Sequence, residues 1–401
     1  MDEEERKKPA ASPSSARAGK VSGAITLSEE QRLTWLQLLR SENVGPATFR
    51  DLINHFRSAA AALEALPDLI ARGGAAGKIR IATREMAERE MEQAAREKAC
   101  FIGMGEPDYP PALRSVDYPP PLVCVKGNPG VLTQNAVAIV GSRNASINGK
   151  RLAARFAAGL GSAGYAIVSG LARGIDASAH EHSLSTGTIA VFAGGVDVIF
   201  PDENAALAVN ILDSGGAFVS EMPMGWKPRS KDFPRRNRLV AGIAHGLLVV
   251  EAAKRSGSLI SARLANEAGR PVYAVPGSPL DPRHEGTNWL IRQGATLVTD
   301  ADDIIGDLAD SLPPAGNAFW SGGAEAEDVS PIPGNGPESG IPGEGDDARE
   351  TVLNALGPEP VEIDDIIRFT GASAGQVQLV LIELDLAGRI ERHGGNRVSL
   401  I

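Results

Sequence analysis

Tyr165-Ala166-Ile167-Val168-Ser169-Gly170-Leu171-Ala172-Arg173-Gly174-Ile175-Asp176 is the stretch that decides the fold. A short apolar run of strand type stops at a loop of serine, glycine and arginine, and an alanine-rich helical segment follows. The same grammar recurs three times. Ala136–Val140 runs into Gly141-Ser142-Arg143, and Ala217–Val219 leads through a longer loop to Phe233-Pro234-Arg235-Arg236-Asn237-Arg238. Leu247–Val250 leads to Lys254-Arg255-Ser256-Gly257-Ser258. In an open parallel sheet such loops all emerge at the carboxyl ends of the strands. Backbone N–H groups, hydroxyls, guanidinium groups and helix N-termini then share one surface, which suits phosphates.

Outward from this core, apolar runs at Leu122–Val125, Ile189–Phe192, Val272–Val275 and Thr296–Val298 alternate with helical stretches. The alternation predicts an α/β fold, a doubly wound parallel sheet with helices on both faces, over residues 99–306. Residues 23–98 read as a helical domain: Leu33, Leu36, Leu39 and then Phe49, Leu52, Ile53, Phe56 recur at three- and four-residue spacing. The break at Asn43-Val44-Gly45-Pro46 fits either a helix-hairpin-helix element that touches DNA backbones or an ordinary packing turn. Residues 1–22 lack a hydrophobic signal core and read as a disordered leader. Residues 307–348 hold no Lys or Arg and nine acids, and read as a flexible, self-repelling linker. Over 349–401, three short helices and a hairpin around His393-Gly394-Gly395 predict a winged helix.

The net charge of −10 argues against nucleic acid only until it is divided by segment. Residues 130–306 carry 17 cations against 15 acids, and 227–238 alone holds Lys227, Arg229, Lys231, Arg235, Arg236 and Arg238 against Asp232. A local field matters more for phosphate capture than the total. Cys100 and Cys124 form no CxxC pair, the six histidines show no metal spacing, and no apolar run approaches the ~18 residues of a membrane span. These features predict a cytoplasmic protein without metal, cofactor or membrane partner.

Each loop has a plain structural reading beside the functional one. Gly141-Ser142-Arg143 offers a bare backbone, a hydroxyl and a guanidinium, or is a simple strand-to-helix turn. It is no Walker A loop, because seven residues separate Gly141 from Gly149-Lys150 and Arg151 stands where Ser or Thr must bind magnesium. Asp176 is placed to cap the helix after it, and Arg173 points to a ligand or to a carboxylate. Four Arg or Asn side chains at the helix start near Phe233 oppose the helix dipole and call for an anionic partner. Ser256-Gly257-Ser258 offers hydroxyls and amides or a cap alone, and Glu251 is expected to organise nearby arginines. No catalytic triad, carboxylate pair or metal cluster is visible.

Taken together, Ala138-Ile139-Val140-Gly141-Ser142-Arg143, Val168–Asp176, Phe233–Arg238, Val250-Glu251-Ala252 with Ser256–Leu259, and Val275-Pro276-Gly277 resemble the signature of the DNA-processing protein A (Smf) family. The resemblance implies an extended Rossmann fold that binds single-stranded DNA without base specificity and is not an enzyme. It also implies a homodimer through the Rossmann domain and loading of RecA recombinase onto DNA in natural transformation. The binding residues it carries over are Gly141, Ser142, Arg143, Ser169, Gly170, the cations and amide of Lys231, Arg235, Arg236, Asn237 and Arg238, and Ser256, Gly257 and Ser258; Arg173 joins them from the loop reading. With 4% aromatic residues, a base-stacking platform is not expected. Two other classes stay open: a nucleotide-processing enzyme resembling phosphoribohydrolases, whose PGGxGTxxE loop lacks its Glu here, and a regulator acting through the winged helix.

Overall fold

The computed structural model describes residues 26–75, 77–309 and 345–401. The expected leader therefore lies outside the described residues, as does most of the expected linker. Four helices open the chain: α1 (Glu29–Arg40), α2 (Pro46–Phe56), α3 (Ala59–Arg72) and α4 (Arg84–Arg96). Each starts where its sequence dictates. Ser28 and Gln31 close a capping box on α1, Pro46 takes the first turn of α2, and Ser58 and Thr83 cap α3 and α4.

The central domain runs β1 (Ala99–Gly103), β2 (Leu122–Gly127), β3 (Ala136–Val140), α5 (Ile147–Ser162), β4 (Ala166–Ser169), α6 (Ile175–Glu181) and β5 (Thr188–Val191). It continues through α7 (Ala205–Asp213), β6 (Ala217–Ser220), α8 (Asp232–Ile243), β7 (Gly246–Val249) and α9 (Gly257–Glu267). It closes with β8 (Val272–Ala274), α10 (Glu285–Arg292), β9 (Thr296–Leu297) and α11 (Ala301–Ala309). All nine strands form one sheet in the order β1-β2-β6-β5-β4-β3-β7-β8-β9. From β6 to β9 every pairing is parallel. The expectation of a wholly parallel sheet needs one correction: β1 and β2 are antiparallel additions at the β6 edge. β1 hides behind the helical pattern of α4, which runs almost straight into it.

Alternate residues of each buried strand serve opposite faces. Val137, Ile139 and Ile167 pack on α5, α6 and α11, whereas Ala138, Val168 and Val249 pack on α8, α9 and α10. Near β1 and β2 the first face is covered by α1, α4 and α7. The N-terminal helices are thereby fixed to the sheet; the ion pair Arg32–Glu106, 2.7 Å, adds to the seam, and Arg40–Glu90, also 2.7 Å, ties α1 to α4.

The C-terminal segment forms α12 (Gly345–Ala355), β10 (Val361–Glu362), α13 (Ile363–Thr370), α14 (Ala374–Leu386), β11 (Ile390–His393) and β12 (Arg397–Leu400). Three helices and the small β10-β12-β11 sheet make the expected winged helix. Among the described residues, no helix is long and apolar enough to cross a membrane.

Candidate nucleic-acid interface

The strand order reverses between β3 and β7, and the crevice outside that switch point is where open α/β sheets bind ligands. Gly141 leaves β3 there, and only glycine fits. A Cβ on it would lie 2.6 Å from Ile175 Cγ1 and 3.0 Å from the Glu251 carbonyl oxygen. Ser142 braces its own loop: its hydroxyl accepts the Asn144 N–H at 3.2 Å and its carbonyl accepts Ile175 N–H. Arg143 is left exposed, its guanidinium 5.2 Å from the Phe233 ring centre.

The loop after β4 is closed from within. Ser169 is buried and donates to the Ile139 carbonyl at 2.6 Å. Asp176 does not cap α6, as expected from its position; Gly174, with φ of +79°, stands at the cap. The Asp176 carboxylate turns back to accept the N–H groups of Gly170 at 3.1 Å and Ala172 at 3.3 Å. Those amides are therefore engaged by the protein's own anion.

Beneath Gly170 lies Arg236, only 7% exposed, its Nη1 3.9 Å from Asp176 Oδ2. His180, fully buried, contacts Thr188 Oγ1 at 2.7 Å from Nδ1. Burial pushes the His180 imidazole down to about 3, and the charge of Arg236 adds to the effect. Burial raises the Asp176 carboxyl against the opposing pull of Arg236, and lowers Arg236 against the pull of Asp176. Arg236 was expected as a surface phosphate contact. It is instead the floor of the site, because α8 turns it inward while its neighbours face out.

The remaining cations of α8 also have partners. Arg235 Nε lies 3.2 Å from Glu221 Oε2, and Arg238 Nη2 lies 2.6 Å from Glu221 Oε1 while its Nη1 donates to the Tyr118 carbonyl. Glu221, just past β6, is thus a site residue that sequence reasoning missed. The dipole conflict at this helix start is answered in part by Glu221 and Asp176. Asn237 sits half-buried on the same helix. Arg173 pairs with Glu203 at 3.6 Å, both exposed. Arg143 and Lys231 are exposed with no ion pair among the described residues.

Of the two remaining elements, the first follows its capping alternative and the second departs from expectation. Ser256 caps α9, accepting Ser258 N–H at 3.3 Å, and its hydroxyl lies 2.7 Å from that of Ser258; Gly257 alone of the three is exposed. Glu251 forms no ion pair with an arginine among the described residues, although its charge reaches Arg283. Buried at the end of β7, its carboxylate accepts the N–H and hydroxyl of Ser146 and so fixes the start of α5.

The aromatic content also misleads. Phe200 is half exposed and its ring centre lies 6.0 Å from that of Phe233, which carries Arg143 and Arg236 over its ring. The step borders a shallow cleft lined by Gly170, Leu171, Val198, Pro228 and the two rings. Composition cannot report that the fold sets two phenylalanines side by side. Among the described residues there is no cluster of three or more potential metal ligands.

Comparison with known proteins agrees with this geometry. Residues 100–309 match the family model "DNA recombination-mediator protein A". Residues 29–93 match a DprA-like N-terminal HHH domain, and 337–396 a DprA winged helix domain. Protein Smf of Escherichia coli is 40% identical over 73% of this chain and 75% of its own. Protein Smf of Synechocystis is 30% identical over 92% of this chain and 99% of its own. The crystal structure of DNA processing protein A from Streptococcus pneumoniae superposes with a TM-score of 0.57 at 32% identity, covering 71% of this chain and 99% of that one. The phosphate-type loops, their order along the sheet and the flanking domains together place this chain in the DNA recombination-mediator protein A family.

Proposed function

We propose that the protein binds single-stranded DNA through the carboxyl edge of its sheet, without base specificity, and delivers it to RecA recombinase as a homodimer formed through the Rossmann domain. The observation that carries the DNA reading is Arg143 at the Phe233–Phe200 step: an unpaired guanidinium beside an exposed aromatic surface. A phosphate can lie on Arg143 and Lys231 while a neighbouring base stacks on the rings, the two modes that single-strand binders combine. The side chains around the step are rings, aliphatic groups and guanidiniums, which every nucleotide satisfies alike. The family relationship supports the recombination role, and the RecA and dimer parts rest on it.

The protein is not proposed to be a nucleotide hydrolase, because the phosphate-type loop after β4 is held by its own Asp176 and the α9 loop is spent on capping. A mobility-shift comparison of single-stranded and duplex oligonucleotides at two salt concentrations tests the reading. With ~4–6 phosphate contacts, log K falls against log salt with a slope of roughly −3 to −4. Equal affinity for duplex, or an affinity indifferent to salt, would refute it.

A further inference from the structure

The C-terminal domain presents the wrong helix to DNA. In a DNA-reading winged helix the second helix of the helix-turn-helix enters the major groove and needs donors and cations. Here that helix is α14, which holds neither Lys nor Arg. Its apolar face is already spent: Ile382 and Leu386 are buried in one core with Leu38, Phe49, Leu52 and Leu66 of the N-terminal domain. The approach is close, since a Cβ on Gly73 at the end of α3 would meet the Glu383 carbonyl oxygen at 2.3 Å.

Polar groups register the contact. Arg392, on β11, reaches across to Asp51 of α2 at 2.8 Å and holds Asp385 of α14 at 2.7 Å. Asp385 also accepts the Thr48 hydroxyl at 2.8 Å, and Asn43 donates to the Leu386 carbonyl at 2.8 Å. Asp51 is 2% exposed. A carboxylate buried that deeply is costly without a counter-charge, and its nearest one comes from the other domain. The N-terminal domain is therefore built for a docked winged helix, which touches the α1–α2 turn at Asn43.

We propose that the winged helix is a protein-docking module whose ligand is the N-terminal helical domain of its own chain, held shut by Arg392 across Asp51 and Asp385. The domain seats α14 on α2 and α3 and keeps it out of any other contact while the ion cluster stands.

Thiol labelling of the full-length chain tests this. Ile382→Cys places a probe at a position with no exposure, and the exposed native Cys100 gives the reference rate. In the closed protein position 382 labels slowly. Breaking a buried pair from one side is a large perturbation, so Arg392→Ala is expected to speed labelling at 382 by roughly 100-fold or more (about 2.8 kcal/mol). Should Arg392→Ala unfold the winged helix itself, Asp51→Asn decides. It lies on the other domain and is expected to speed labelling about tenfold or more. Unchanged labelling in Asp51→Asn would overturn the latch. Binding of a 30-base-pair duplex is the second readout: the opened variants are expected to gain nothing over the parent. A tenfold gain would overturn the docking role, because the freed helix would then be reading DNA.

Discussion

Gly170→Ala puts the floor of the site to a direct test. A Cβ at this position would lie 1.0 Å from Arg236 Nη1 and 2.3 Å from its Cζ, so the guanidinium must leave. It has no retreat inward, where the fully buried His180 and Thr188 close the interior. Arg236 then swings outward and leaves Asp176, itself 5% exposed, without its counter-charge. Breaking such a pair from one side costs about 3–5 kcal/mol. Asp176 keeps its two amide hydrogen bonds, which places the loss near the lower end, about 3 kcal/mol. With a urea m-value of ~2–3 kcal/mol/M, the midpoint of the transition reporting the α/β core should fall by about 1 M. Repeating the change in an Arg236→Met background should cost less than about 1 kcal/mol, because the obstructing guanidinium is gone; the cycle then gives a coupling of roughly 2 kcal/mol. A Gly170→Ala protein within about 0.5 kcal/mol of the parent, or one additive with Arg236→Met, would refute the argument.

Arg143→Ala should weaken single-strand binding by roughly 1–3 kcal/mol and flatten the salt slope by about 0.7, with unchanged thermal unfolding; anisotropy titrations at two salt concentrations read both. A chain ending at Ala309 should retain single-strand affinity within tenfold (about 1.4 kcal/mol), because α14 holds neither Lys nor Arg and is packed on the N-terminal helices. His180, held near 3, gives stability a pH dependence. The unfolded chain takes up a proton below its ordinary value of about 6.5 that the folded chain refuses, so stability falls with pH from 6.5 toward 3 at a limiting slope of about 1.4 kcal/mol per unit. Asp176, raised by burial, works in the opposite sense in the acid range, and urea midpoints at pH 7, 6 and 5 for the parent and His180→Asn should separate the two.

The strands and their loops were legible because buried parallel strands are short apolar runs, and several ended at a glycine or serine, as at Gly141, Ser169 and Ser220. The eight runs read from the sequence all became strands, to within a residue or two at either end. β1 was not legible, since Ala99–Gly103 follows a helix without a break and owes its state to pairing with β2. The identity of the loop residues was legible; their direction was not. Nothing local distinguishes Arg236 from Arg235, yet one is buried and the other exposed, because α8 turns by about 100° per residue against the sheet. The reach of Asp176 back to Gly170 and of Glu221 to two arginines depends on loops brought together from different strands, which no spacing along the chain records. The docking of α14 lay further out of reach. Its lack of cations excluded a DNA reader, but the partner stands more than 300 residues earlier in the chain.

The count of cations between 227 and 238 therefore overstates the field that DNA meets. Arg229 is paired with Asp232, Arg235 and Arg238 share Glu221, and Arg236 faces Asp176. Lys227 and Lys231 carry no ion pair among the described residues, and Arg143 joins them from the β3 loop. A chain of net charge −10 that left six arginines and lysines unpaired at one helix start would strain that helix through its dipole. Internal carboxylates relieve the strain and keep the side chains in place before DNA arrives. The half-exposed guanidiniums can then exchange partner: Arg229 and Arg235 each have about half their side chain in solvent, and the buried carboxylates they leave keep other donors, Trp226 and the Arg229 N–H on Asp232 and Arg238 on Glu221. Arg236 cannot make that exchange without vacating the floor. On the proposed reading, the electrostatic share of binding would fall on three cations without an ion pair among the described residues and two exchangeable ones, within the range of contacts that the expected salt slope requires, and the Phe233–Phe200 step would supply the rest.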